Sequence, residues 1–62
     1  HGPDRVMKNG EEVVIVECKF GSPKPEYVEQ VRRCMALTRS MGYSNVSGYL
    51  WFVYSNRIEQ IS

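Results

Sequence analysis

Two carboxylates and one amine stand in the sequence where a hairpin could bring them to one metal ion. Asp4 lies near the start of the chain, and Glu17 and Lys19 close the apolar run VVIVECK of residues 13–19. Hard divalent cations such as Mg²⁺ take oxygen ligands, commonly one or two carboxylates with several retained waters, and the backbone carbonyl of Cys18 could supply another oxygen. A bound Mg²⁺ or Mn²⁺ would acidify a water molecule and neutralise charge on a phosphate, while Lys19 positions that water or stabilises the anion. These residue types therefore predict metal-assisted phosphate chemistry.

A hairpin is predicted from the dipeptide Asn9-Gly10. A type I′ turn needs positive φ at both central residues, and Asn-Gly is the pair that adopts it most readily. The turn would join a strand of residues 4–8 to a strand of residues 11–17.

The register of this hairpin decides which side chains share a face. With Asn9-Gly10 as the turn, Asp4 lies opposite Ile15 and diagonal to Glu17. Residues opposite one another, and alternate residues along a strand, project from the same face. Asp4, Glu17 and Lys19 are therefore expected on one face, with Lys19 two residues after Glu17. The diagonal spans roughly 7–8 Å between backbones, which two carboxylates can bridge by converging on one cation.

A hydrated strand end is the competing interpretation. An acid and a lysine two positions apart at the end of a strand usually form only a solvated rim, and Glu17 with Lys19 alone favours that interpretation. Adding Asp4 in the register of the turn leaves the rim and the metal site as open alternatives.

The remaining sequence predicts one helix and two further strands. A turn-rich linker of residues 21–25 ends in a proline suited to the first turn of a helix. Residues 26–41 have a helical period and are followed by glycine, a common helix stop. Residues 46–54 form an apolar strand, and residues 57–61 a short edge strand. We therefore expect an α/β fold in which a helical crossover, expected to be right-handed, places the two long strands parallel in a mixed sheet covered by one helix.

The faces of these elements follow from their periods. The helix is expected to bury Val28, Val31, Met35 and Thr38, flanked by Tyr27, Cys34 and Met41. Both faces of the strand at 46–54 are apolar, so the face without a helix is expected to pack on sequence outside this chain or on another copy of it. Its aromatic residues could stack on nucleic-acid bases, but their alternation favours a core role for Tyr49, Trp51, Phe52 and Tyr54.

Composition limits the chain to one small domain. It has 62 residues, 42% of them hydrophobic, and a net charge of +1, so its overall charge favours neither nucleic acid nor membrane as a partner. Two cysteines are too few for a disulfide scaffold and fit a reducing cytoplasm. No run approaches the roughly 20 apolar residues of a membrane span. Because the chain lacks an initial methionine and soon enters strand-like sequence, residues 1–62 are expected to be a piece of a longer protein.

Pro3-Asp4, followed by Glu17-x-Lys19 on the next strand, resembles the signature of the PD-(D/E)xK nuclease superfamily. On the following helix, Gln30 matches the first position of the Gln-x-x-x-Tyr motif in nucleases of the RecB and AddA type. Residues 16–56 are similar to the C-terminal nuclease region of RecB-like, UvrD-type helicase–exonucleases. The resemblance covers nearly the whole chain.

This resemblance implies a partial restriction-endonuclease-like core. Asp4 and Glu17 would be the metal-binding carboxylates, for Mg²⁺ or Mn²⁺, and Lys19 the catalytic lysine. Gln30 would orient DNA or that lysine. The parent would be a helicase–nuclease, an Mg²⁺-dependent exonuclease that processes DNA ends in recombinational repair, with DNA and its own helicase portion as partners and no membrane.

The chain departs from the family pattern at several positions. The acid of the Glu-x-Lys motif is commonly Asp in this subfamily but is Glu17 here, and the motif tyrosine is replaced by Cys34. The opening helix and strand of the family core would lie upstream of Pro3, and that helix often brings a further acid or histidine to the metals. His1 could be mistaken for this ligand, but as a terminal residue it is expected to be solvent-exposed.

Three residues are predicted to contact DNA, namely Lys24, Gln30 and Arg33. Lys24 lies near the strand end where DNA would pass, and cationic side chains could follow a phosphate backbone. Solvated helix charges are the alternative, favoured for Arg39. At the level of function, the alternatives are a non-catalytic nuclease-like module for DNA binding or assembly and a stand-alone restriction or junction-resolving enzyme.

Overall fold

The computed structural model describes residues 3–62, which form four strands and one helix. The elements are β1 (Arg5–Asn9), β2 (Glu12–Lys19), α1 (Pro25–Ser40), β3 (Asn45–Phe52) and β4 (Arg57–Ile61). The sheet has the order β1-β2-β3-β4, with the central pair β2 and β3 parallel and both outer pairs antiparallel. This is the predicted α/β fold, a mixed sheet with one helix, and the element bounds differ from the predicted ones by at most two residues. His1 and Gly2 lie outside the described residues.

The helix begins and ends at the predicted signals. Pro25 occupies its first turn, where a missing N–H costs nothing. Gly42, just after its end, has a φ of 105° that favours glycine. The helix ends at Ser40, one residue earlier than predicted, and this leaves Met41 largely exposed rather than flanking the core.

The core lies between α1 and the face of the sheet that this helix covers. Its buried members are Val13, Ile15, Val31, Met35, Val46, Leu50, Phe52 and Ile61. Gly48 of β3 lies directly beneath the helix, where a Cβ atom would come within 2.6 Å of Val31 Cγ1 and would also collide with Met35 Sδ. The absence of a side chain at Gly48 therefore sets how closely α1 can approach the sheet.

The β1–β2 turn differs from its prediction. Asn9 pairs with Glu12, so the two loop residues are Gly10 and Glu11, and positive φ occurs in this turn only at Gly10, at 64°. Positive φ at the first central residue alone is typical of a type II′ turn, so the type I′ prediction is wrong. The register moves by two residues. An even step keeps every side chain on its predicted face.

The second face of the sheet carries no helix in the part of the chain that the structure describes. On this side lies an apolar surface that includes Met7, Trp51 and Ile58, all exposed. The predicted core role is confirmed for Phe52 and wrong for Trp51, which is on the open face, and for Tyr54, which is 84% exposed. Because β3 ends at Phe52, the strand alternation that suggested burial of Tyr54 does not extend to it.

Cys18 and Cys34 are free thiols, each half-buried. Among residues 3–62, no helix has the length and apolar character needed to cross a bilayer.

Candidate metal-binding and catalytic site

The carboxyl groups of Asp4 and Glu17 lie side by side on the helix-covered face. The observed register pairs Arg5 with Val16, so its continuation places Asp4 directly across from Glu17 instead of diagonal to it. Glu17 continues the inward-facing row of Val13 and Ile15 and is only 3% exposed. This burial excludes the hydrated rim as a description of Glu17.

A backbone hydrogen bond holds Asp4 in this position. The N–H of Cys18 donates to Asp4 Oδ2 at 2.7 Å. In an antiparallel ladder a residue directs its N–H and C=O toward the same neighbouring strand, so the Cys18 carbonyl also faces the side on which Asp4 lies. The predicted set of two carboxylates and one backbone carbonyl is therefore brought to one edge of β2.

The two carboxyl groups have opposite pKa shifts. The pKa of Asp4 is lowered, first by the hydrogen bond from the Cys18 N–H and then by a hydrogen bond with Glu17. The pKa of Glu17 is raised, first by burial and then by its hydrogen bond with Asp4 and the charge of Asp4. The pair thus favours one negative charge on Asp4, and a second negative charge on Glu17 is costly unless a cation balances it.

Lys19 lies close enough to influence both acids. Its positive charge lowers the pKa of Asp4 and of Glu17. Its Nζ atom lies 4.4 Å from the centroid of the Tyr27 ring, a cation–π distance. The predicted grouping of two acids and one lysine on one face is therefore observed, with an aromatic ring added to it.

Gln30 and Arg33 line a cleft next to Glu17. This cleft has a volume of about 340 Å³, and Cys34 and Leu37 complete its lining. The Oε1 atom of Gln30 is buried and accepts no hydrogen bond within residues 3–62. Buried polar atoms nearly always have a partner, so this amide is placed where a ligand with a donor group or a cation would satisfy it.

Lys24 lies outside the carboxylate cleft but near Lys19. It is exposed at the N-cap of α1, and its Nζ atom is 6.0 Å from the Tyr27 ring. The ammonium groups of Lys19 and Lys24 therefore both approach one aromatic ring at the carboxyl end of β2.

Tyr27 is the site residue that sequence reasoning missed. It was assigned to the flank of the apolar helix face, and it does pack against the core. Its spacing of three residues from Gln30 on a helix was the available signal, since such residues lie on one side.

The donor set fits a hard divalent cation. Within residues 3–62 no three His, Cys, Asp or Glu side chains form a group that could hold a metal. A cation at this position would therefore take two carboxylates, a backbone oxygen and several waters, which is the coordination that Mg²⁺ prefers. The cost of a second negative charge on Glu17 and the unpaired Gln30 oxygen agree with that fit. The expectation that His1 is solvent-exposed concerns a residue outside the described range.

Comparison of the chain with protein-family models, with curated proteins and with solved structures gives no match. The assignment of a function therefore depends on the chemistry of the site itself.

Proposed function

We propose that this chain is part of the nuclease core of a metal-dependent deoxyribonuclease. The observation that carries the proposal is the convergence of the Asp4 and Glu17 carboxyl groups beside the Lys19 ammonium. Two acids in contact, one of them buried, form an arrangement that costs stability and is explained by a cation that they bind.

The metal would be held by Asp4, Glu17 and the Cys18 carbonyl. When bound, it supplies an acidified water and neutralises charge that develops on the phosphate. Asp4, held by the hydrogen bond from the Cys18 N–H, contributes an ionised oxygen. Glu17, buried beneath α1, contributes the second carboxylate.

Lys19 acts on the reacting phosphate. An ammonium has three donors and no acceptor, so it orients the attacking water by donating to its oxygen or stabilises the anionic oxygens of the phosphate. Hydrolysis adds the water oxygen to phosphorus and breaks the bond to the leaving oxygen. That oxygen departs with a proton, and the second proton of the balance goes to solvent.

DNA is the substrate in this proposal, with three residues as contacts. Gln30 and Arg33 line the cleft beside Glu17, and Lys24 stands at the end of β2. Two of the three side chains are cations suited to phosphate oxygens. The amide of Gln30 would orient the DNA or Lys19.

The setting we propose is a RecB-like helicase–nuclease, in which this core acts as an exonuclease on DNA ends during repair. The support is the resemblance of Pro3-Asp4, Glu17-x-Lys19 and Gln30 to the nuclease signature. The helicase portion of the parent chain would be the second partner. The exposed apolar face of the sheet, with Trp51 and Ile58, would pack on that parent or on another copy.

A non-catalytic DNA-binding or assembly module is the second candidate. It is favoured by Cys34 at the position of the motif tyrosine and by the lack of a third side-chain ligand within residues 3–62. Retention of Asp4, Glu17 and Lys19 together favours the catalytic proposal.

Cleavage of end-labelled linear DNA distinguishes the two candidates. The chain, its Glu17→Gln variant and its Lys19→Met variant are each incubated with DNA and Mg²⁺ or Mn²⁺, with Lys8→Met as the matched control on the neighbouring strand. The proposal predicts metal-dependent cleavage by the unmodified chain and by Lys8→Met. It predicts loss of cleavage in Glu17→Gln and Lys19→Met. DNA binding without cleavage by any of the four supports the non-catalytic module.

A further inference from the structure

The ammonium of Lys19 is held over an aromatic ring. Its Nζ atom lies 4.4 Å from the centroid of Tyr27, well inside the roughly 6 Å limit for a cation–π interaction. The other two such pairs among residues 3–62 are looser, with Lys8 at 5.9 Å from the Tyr43 ring and Lys24 at 6.0 Å from the Tyr27 ring itself.

Both partners of the closer pair have fixed backbones. The carbonyl of Lys19 accepts a hydrogen bond from the N–H of Val53 at 2.9 Å, which ties the end of β2 to the segment after β3. Tyr27 lies in the first turn of α1, where its N–H donates to the Lys24 carbonyl at 3.0 Å, and its side chain packs against the core. The ring is therefore a rigid surface set opposite the flexible lysine stem.

A lysine without such a contact would sample many rotamers. Its stem has four rotatable carbons, and the carboxyl groups of Asp4 and Glu17 also attract its charge. The Tyr27 ring gives the ammonium a fixed position, and from there its charge acts on both acids. Its three protons then remain available to a phosphate or a water molecule.

We propose that Tyr27 is a positioning residue that presents Lys19 to the substrate. The inference rests on the proposed nuclease function, because it assigns a purpose to the contact only if Lys19 acts on a phosphate. The hydroxyl group of Tyr27 has no part in it, so phenylalanine is expected to replace tyrosine without loss.

The variants for the test are Tyr27→Phe, Tyr27→Leu and the control Tyr43→Leu. Tyr43 is also half-buried, packs against the core and lies beneath a lysine, so its replacement reproduces the structural cost of losing a ring. Carbon–proton NMR of the Lys19 ε-methylene group reports the contact directly, since a proton above a ring is shifted upfield.

The ring-current shift of Lys19 is expected in the unmodified chain, in Tyr27→Phe and in Tyr43→Leu, and is expected to vanish in Tyr27→Leu. In the cleavage assay Tyr27→Leu is expected to lower kcat roughly 3- to 30-fold, with KM little changed, because the contact serves the transition state. Tyr27→Phe is expected to keep the kcat of the unmodified chain.

Two kinds of failure are distinguishable. A Lys19 signal that does not respond to Tyr27→Leu, or equal losses of kcat in Tyr27→Phe and Tyr27→Leu, would overturn the inference while leaving the nuclease intact. Normal Lys19 shifts in a chain that cleaves no DNA would overturn the proposed function, and the positioning role with it.

Discussion

The backbone N–H of Cys18 donates a hydrogen bond to Asp4 Oδ2 at 2.7 Å. This contact joins the residue just before β1 to the end of β2, beyond the last pair of the strand ladder, Arg5 with Val16. It fixes the exposed carboxylate at the level of the buried Glu17. The Asp4 side chain thus takes the place of the next backbone acceptor in the β1–β2 ladder, and this contact assembles the site.

Removing the acceptor should free the Cys18 amide. We expect Asp4→Ala to accelerate amide hydrogen exchange at Cys18 and to lower the free energy of unfolding by about 1 kcal/mol, as for one net hydrogen bond. Asp4→Asn retains an oxygen acceptor and should keep part of the protection. Equal exchange rates in all three proteins would show that the bond does not persist in solution.

Glu17 should make stability depend on pH. A raised folded-state pKa gives a contribution that is complete below the unfolded value, near 4.5, and is lost as pH rises through the folded value. The lowered pKa of Asp4 gives the opposite dependence, a contribution present above about 3.8 and lost as pH falls through the folded value. The free energy of unfolding is therefore expected to be highest between about pH 3.8 and 4.5, and to decline both below and above this range.

Glu17→Gln is expected to remove the decline in stability above pH 4.5. At pH 7 this variant is expected to be more stable than the unmodified chain. Urea unfolding between pH 3 and 8 checks this. Asp4→Asn serves as the control, because it should instead reduce the decline on the acid side. A parent and a Glu17→Gln variant with parallel pH profiles above pH 4.5 would contradict the assignment.

Gln30 should show a conflict between stability and activity. Its buried Oε1 has no donor within residues 3–62, so replacement by the similarly sized leucine is expected to be neutral or to stabilise by about 1 kcal/mol. DNA cleavage by Gln30→Leu should nevertheless fall. Gln60→Leu, an exposed change on β4, is expected to alter stability by less than about 0.5 kcal/mol and to leave cleavage unchanged.

Gly48 should tolerate no side chain. Gly48→Ala drives a methyl group against Val31 and Met35, and we expect a loss of about 1–3 kcal/mol in thermal or urea unfolding. Gly21→Ala is the matched control, since an added Cβ at that position meets no atom within 4 Å. Comparable losses in the two variants would mean that the close packing of α1 on β3 is not what Gly48 provides.

The face of each site residue was predictable from the sequence, but its register was not. Asp4, Glu17 and Lys19 share a face because strand alternation has a period of two, which survives any even slip. The choice between Asn9-Gly10 and Gly10-Glu11 as the turn was not determined, because both place glycine at a position that accepts positive φ. The true turn moved the two acids from a diagonal to a direct pairing.

Contacts between elements were the part that local patterns could not reveal. Tyr27 looked like a core residue because a tyrosine on an apolar helix flank usually is one, and only the packing of α1 places its ring under Lys19. A hydrated strand end was one of the two interpretations left open for Glu17, and the burial of this residue beneath α1 excludes it. The predicted burial of Tyr54 is wrong because β3 ends at Phe52, whereas the aromatic pattern in the sequence continues to Tyr54.

Titration of Mn²⁺ followed by proton–nitrogen NMR tests whether Asp4 and Glu17 together bind a divalent cation. The paramagnetic ion broadens the signals of nearby amides. We expect the signals of Asp4, Cys18 and Lys19 to disappear at lower Mn²⁺ concentrations than the signals of β4, which lies two strands away from β2, and we expect no such selective loss in Glu17→Gln. Signals that stay sharp, or that broaden equally in the parent and in Glu17→Gln, would contradict this binding.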